Sequence, residues 1–211
     1  MPINNFTEKN DSLYVEKYID EGLQEKQVFA KNSLAEKNYV VSKTFYLGTD
    51  KFGRDILSRL MVGVRVSLAV GLITVLISLS IGIFLGAIAG YYGGKADNII
   101  MWFINIIWSI PTLLLVFGIT LTLGKGFWQI FIAVGLTMWV SVARVVRGQV
   151  LALREMEYIQ AARSLGLKNL RILIRHVLSN IMGPVIVIAV ANVSSAIIIE
   201  AGLSFLGIGI Q

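Results

Sequence analysis

The sequence of 211 residues contains no cysteine, which excludes disulfides, thiolate metal sites and cysteine nucleophiles. Histidine occurs once, at His176, and a single ring inside a basic stretch argues against a metal site. Charge is scarce as well. Only 15% of the residues are charged while 55% are hydrophobic, and soluble domains carry about 25% charged residues. The shortage is concentrated in four places. No Asp, Glu, Lys or Arg occurs from Val66 to Gly94, Asn98 to Gly124, Gly126 to Ala143 or Val177 to Ile199, gaps of 29, 27, 18 and 23 residues. The N-terminus lacks the charged-then-apolar pattern of a signal peptide. "GKG" at Gly124–Gly126 has neither the spacing nor the Ser/Thr of a phosphate loop. No ATP-binding motif and no catalytic constellation is present, so the chain is expected to be neither an enzyme nor a cofactor binder.

What remains is apolar and long. A helix needs about 20 residues to cross the hydrocarbon core, and each gap is close to that length or longer. Val66–Ile88 holds fourteen Leu, Ile, Val or Phe residues, which favour insertion by about 4 to 8 kcal/mol. The expected fold is all-α, a multi-pass membrane protein with four spans in this chain. The net charge of +6 does not point to nucleic acid. Seven of the nineteen Lys/Arg residues lie between Arg144 and Arg175, pinned between two spans, where membrane topology accounts for them.

Three segments follow. Residues 1–44 are polar, with seven acidic and six basic side chains, and have too little apolar surface for a domain. There "DSLYVEKYID" is expected to open a short helix capped by Asp11 or Ser12. Residues 45–65 form a turn and an amphipathic approach to the membrane. Residues 66–211 form the transmembrane part. In its first span Gly82, Gly86 and Gly90 fall on one face, where small residues let another helix come close; the alternative is that membrane helices simply tolerate glycine. Pro111 lies inside the second span and is expected to kink it, either lining a pathway or serving packing alone. The third span is expected to end near Arg144.

Between the third and fourth spans lie about 33 residues of helix-forming sequence. Arg144, Arg147, Arg154, Arg163, Lys168, Arg171 and Arg175 outnumber Glu155 and Glu157, which places this loop in the cytoplasm. Tyr158, Ala162 and Leu165 share one face of a first short helix, and Gly166 is suited to end it. A second helix sets Leu170, Leu173, Ile174 and Val177 against Lys168, Arg171 and Arg175. Small residues at Ala161 and Ala162 leave room for a partner. Two readings stay open: a docking knob, or apolar faces resting on the protein's own spans and the lipid bilayer.

The residues from "QAARSLG" to "HVLSN" resemble the EAA loop of ABC importer permeases. Ala161, Ala162, Gly166 and Leu178 match in register, with Gln160 where the family has Glu, His176 for Ile and Ser179 for Pro. "LGTDKFGRDILSRL", "GYYGG", "SIPTLLL", "ARVVRGQVLALREMEYIQAARSLG" and "EAGLSFLGIGIQ" are similar to the second permease subunit of the dipeptide/oligopeptide/nickel importer group. The resemblance covers about residues 46–211. It implies a multi-pass protein of the bacterial inner membrane working with a second permease subunit, two cytoplasmic ATPase subunits that bind the ATP, and an extracytoplasmic substrate-binding protein. The loop 144–178 would be the ATPase-coupling element, with Tyr158, Gln160, Ala161, Ala162, Ser164, Leu165, Gly166 and Leu178 as its site residues. Peptides are the expected cargo and nickel the alternative.

The family implies about six spans, so a first span is expected before Met1 and a last one after Gln211. Residues 1–44 then lie outside, although Lys51, Arg54, Arg59 and Arg65 exceed Asp50 and Asp55 on that flank. Pro111, Asn192 and Glu200 are pathway candidates. Glu200 is the one acid within or at the edge of a span, about 24 Å of helix beyond Pro184, and is equally suited to pairing with a neighbouring element. Asn105, Asn180 and Asn192 are expected to make interhelical hydrogen bonds. A secondary transporter and a membrane adaptor are the rival classes.

Overall fold

A computed structural model describes residues 3–10, 12–20, 23–30, 43–124 and 126–207. The chain divides into two compact units, Met1–Val66 and Ser67–Gln211.

The first unit corrects the helix expected at "DSLYVEKYID". Strands β1 (Ile3–Lys9), β2 (Ser12–Asp20) and β3 (Leu23–Ala30) form an antiparallel sheet in the order β1-β2-β3. The stretch expected to be helical is its central strand. "SLYVEKYI" alternates in period two and is rich in Tyr, Val and Ile, which suits a pleated surface. Leu13 and Val15 are buried while Tyr14 between them is exposed. Cross-strand pairs such as Tyr14 with Val28 and Leu13 with Phe29 fix the register. Asn10 enters the left-handed region (φ 43°) at the β1–β2 turn. Asp11 lies outside the described residues.

The approach segment is a built turn. The Asp50 carboxylate accepts the N–H groups of Phe52 and Arg54, each at 2.9 Å. It also pairs with Arg54 at 2.8 Å and Arg59 at 3.1 Å. The Arg54 amide, foremost among these donors, holds the Asp50 carboxyl below its usual range. Two of the four cations that seemed too many for an outer flank are thus matched locally. Asp55 then caps α1 (Ile56–Tyr92) by accepting the N–H groups of Leu57 at 3.1 Å and Ser58 at 3.3 Å. The helix therefore starts ten residues before the apolar gap does.

In the second unit, α4 (Phe127–Arg154) is the hub, the most buried of the helices long and apolar enough to cross a membrane. The other two are α1 and α7 (Met182–Phe205). Between α1 and α4 run α2 (Gly94–Ser109) and α3 (Thr112–Leu123), which meet at an angle of 92°. The expected kink is thus a full break. Proline at 111 cannot donate, Ile110 is extended, and its N–H turns back to the Ile107 carbonyl at 3.2 Å. Ile104 of α2 clusters with Trp139, Val140 and Ala143, and Val116 of α3 with Ile130, Ala133, Val134 and Met138. The pair therefore advances from one end of α4 to the other and crosses as one broken span, the fourth crossing of the chain.

The glycine stripe lies against α4. A Cβ on Gly82 would sit 2.5 Å from Val142 Cβ, one on Gly86 2.5 Å from the Ala143 carbonyl, and one on Gly90 2.8 Å from Val150 Cβ. Rising numbers on both helices make α1 and α4 parallel. Gly71 against Val193 and Gly135 against Ile77 are two further close approaches, each with 2.8 Å to the added carbon. These two escaped notice because neither belongs to a repeat.

Candidate functional site

The loop after α4 begins later than its charges suggested. Arg144 and Arg147 are not loop residues but lie within α4, and each holds α2. Arg147 grips Asp97 at 2.5 and 2.6 Å. Arg144 donates to Asn105 at 2.5 Å and stacks 3.4 Å above the Trp108 ring. A helix can carry these cations because α2 supplies an acid, an amide and an aromatic face. At the last turn, Arg154 Nη1 reaches the Gly90 and Tyr91 carbonyls at 3.3 and 3.5 Å. It closes the C-terminus of α1, whose final carbonyls have no helical donor.

From Glu155 the chain turns through Met156 into α5 (Glu157–Ser164). The helix ends in a Schellman motif: the Gly166 N–H reaches the Arg163 carbonyl at 3.0 Å, and the Leu167 N–H reaches that of Ala162 at 3.2 Å. Gly166 has φ +78°, a conformation in which any other L-residue except Asn or Asp is strained. Next come α6 (Asn169–Ile172) and a π-helical segment, Leu173–Leu178. The wide π turn shifts the register, so Leu173 and Val177 are buried while Ile174 is exposed.

The two faces foreseen for the loop are divided differently from the expected pattern. Facing the spans are Ile159, Ile172, Leu173 and Val177, in one cluster with Ala87, Tyr91, Val142, Val146 and Val150. Ala162, Leu167 and Leu178 are half-buried against it. On the outside, Tyr158, Leu165, Leu170 and Ile174 are 45%, 80%, 62% and 56% exposed. Tyr158 and Leu165 therefore do not share the inward face with Ala162. Gln160, Ala161, Ser164 and Gly166 are also exposed. Gln160 Nε2 donates to the Glu155 carbonyl at 3.1 Å, fastening α5 to the end of α4. Ile159 was missed because one isolated Ile in an eight-residue helix leaves no periodic trace.

Ile159→Asp is expected to free the loop from the spans, since an unpaired carboxylate would enter an apolar cluster. Ile159→Ala should cost about 2 to 4 kcal/mol, whereas Met156→Ala, at an exposed position, should cost almost nothing. Hydrogen exchange of residues 157–178 separates these outcomes.

The pathway candidates do not come together with the loop. Pro111 stands at the α2–α3 break. Asn192 is buried, and its Nδ2 has no hydrogen-bond partner among the described residues. Glu200 is buried near the end of α7 and accepts from the Ser204 hydroxyl at 2.7 Å. Of the asparagines expected to bridge helices, Asn105 does, while Asn180 returns to the His176 carbonyl at 2.5 Å.

A central spanning helix, a glycine-packed neighbour, a broken span and a compact loop docked on the span ends define a polytopic α-helical membrane protein. The family of inner membrane components of binding-protein-dependent transport systems matches residues 82–211, and the chain belongs to that family. It is 40% identical over 182 residues to the oligopeptide transport system permease protein OppC of Bacillus subtilis (strain 168), covering 86% of this chain and 60% of that protein. It is 42% identical over 181 residues to the dipeptide transport system permease protein DppC of the same organism, covering 86% and 57%. To the glutathione transport system permease protein GsiD of Pectobacterium atrosepticum it is 40% identical over 170 residues, covering 81% and 56%. The chain thus spans less than two thirds of these relatives. The inward-facing MetNI methionine ABC transporter shares the fold, with a TM-score of 0.64 at 20% identity over 73% of this chain and 77% of that one.

Proposed function

We propose that the chain is a permease subunit of an ATP-driven importer of short peptides, and that the loop from Glu155 to Leu178 couples it to an ATPase. One observation carries this reading: the loop is anchored on one side and bare on the other. Ile159, Ile172, Leu173 and Val177 fix it to α1 and α4, while Tyr158, Leu165, Leu170 and Ile174 stay exposed. An anchored knob with an apolar outer face transmits a push, whereas a tether would not need the inner cluster. Gln160, Ala161 and Ser164 sit on the outer side with room for a close partner.

In this reading the chain is not itself an enzyme and holds no cofactor. ATP binds to two cytoplasmic ATPase subunits, a second permease completes the pathway, and an extracytoplasmic binding protein delivers the cargo. Peptide cargo is favoured over nickel because the similar proteins carry peptide names. Residues 1–44 lie on the outer side.

The absence of cysteine supplies the test. A single cysteine at Ser164, in the full-length protein co-expressed with an ATPase carrying cysteines along its groove, should crosslink efficiently and in an ATP-dependent manner. No crosslink, in membranes where the ATPase is present, removes the coupling role and returns the adaptor reading.

A further inference from the structure

At the loop-side ends of α1 and α4 lies an open polar cavity of about 450 Å³, lined by Tyr91, Tyr92, Arg154, Glu155, Arg163 and Asn169. Its chemistry is one-sided. Arg163 lies over the Tyr91 ring at 5.8 Å and forms no ion pair among the described residues. The Tyr91 hydroxyl donates to Asn169 Oδ1 at 3.1 Å, which leaves the Asn169 Nδ2 hydrogens uncommitted. Arg154 is fastened to the α1 carbonyls and to Glu155, the latter at 3.0 Å. Two guanidinium groups therefore face one carboxylate, and that carboxylate is already taken. The free groups, Arg163 and Asn169 Nδ2, are donors, as an anion requires.

Position narrows the anion. Tyr91 and Tyr92 end α1 within the charge-free run that closes at Gly94, and Lys95 is the first charge beyond it. By this charge spacing the cavity falls where a span is expected to end among the headgroups, and basic pockets between helices at that level suit lipid phosphates.

We propose that the cavity holds the phosphate of an anionic phospholipid from the adjoining leaflet, bound by Arg163 and Asn169. Such a lipid joins the ends of α1 and α4 to α5 and α6, so it stiffens the loop against the spans. The side of the membrane rests on the proposed function; the phosphate chemistry does not.

The test uses the full-length protein assembled with its partner permease and ATPases in phosphatidylcholine nanodiscs, with or without phosphatidylglycerol. Retained phosphatidylglycerol is counted by native mass spectrometry together with the bound ATPases. Arg163→Gln and Asn169→Leu should each lower retention about tenfold, while Arg175→Gln, an exposed basic residue outside the cavity, should leave it unchanged. Equal retention in all variants overturns the proposal. So does loss of the ATPases from Arg163→Gln with lipid retention intact, which would make the cavity a seat for an acidic side chain of the partner. Inorganic phosphate that binds equally well with and without the lipid would overturn it too, leaving a soluble-anion site. The crosslink from Ser164 reads the coupling role separately, so the two ideas fail independently.

Discussion

Gly86→Leu is expected to prevent α1 and α4 from packing and, if the chain is the proposed permease, to abolish uptake. The reason is the identity of the obstructing atom. A Cβ at this position meets the Ala143 carbonyl oxygen at 2.5 Å and Val146 Cβ at 2.9 Å. A flexible side-chain tip could swing away, but a backbone carbonyl and a β-branched stem within a helix cannot. The helices must separate, and in lipid the contacts that hold them are mainly dispersion and close approach, which fall off within an ångström of gap. Even Gly86→Ala should therefore cost about 1 to 3 kcal/mol, the usual penalty for overpacking. Gly118→Ala is the matched control, because nothing lies within 4 Å of the added carbon. It should be neutral or stabilise its helix by up to about 1 kcal/mol. Thermal unfolding of the purified protein reads both. If Gly86→Ala melts with the parent, close packing of the stripe is not what holds α1 to α4. An adaptor would tolerate Gly86→Leu in uptake assays; a permease would not.

The second large effect lies on the other flank of α4. Asp97→Ala should cost about 3 kcal/mol, the lower end for breaking a buried pair, because the Asp97 and Arg147 side chains remain 14% and 28% exposed. The loss comes mostly from the group left behind. Arg147 would keep its charge, lose both carboxylate oxygens, and stay in the same half of the protein as Arg144. The double replacement Asp97→Leu with Arg147→Met removes both charges and should recover most of the stability. Arg147→Lys should recover little, since an ammonium cannot make the two parallel bonds of the guanidinium. A double-mutant cycle on melting temperature decides the matter. Single and double variants of equal stability would mean that the pair contributes nothing, and that Arg144 with Asn105 and Trp108 holds α2 alone.

Much of this protein is legible in its sequence, and the limits of the reading have physical causes. Charge-free runs mark spans because no water in the bilayer can solvate an ion, so four crossings follow from four gaps. The glycines at 82, 86 and 90 are visible because their spacing matches the helical period. Gly166 is visible because a left-handed residue between two short helices has few alternatives to glycine. Arg144 and Arg147 were assigned to the loop because a cation ordinarily ends a span, and the acid and aromatic face that accept them come from α2, about forty to fifty residues away. The inward face of the loop was misread at Ile174 because the π turn at Leu173–Leu178 breaks the very periodicity that face assignment uses, and at α5 because the single buried Ile159 leaves no periodic trace. Ser12–Asp20 was expected to be helical because a ten-residue polar stretch carries both periods weakly, and it is pairing with the neighbouring strands that selects period two.

Composition and charge spacing by themselves determined the membrane class and the number of crossings, because those depend on the transfer of side chains between water and lipid, one residue at a time. The break at Pro111 as a right-angled turn, the pairing of Asp97 with Arg147, the anchoring of the loop through Ile159 and the cavity beside Arg163 were decided only in the tertiary structure. Each depends on which group from a distant segment arrives within a few ångströms, and no local pattern encodes that distance.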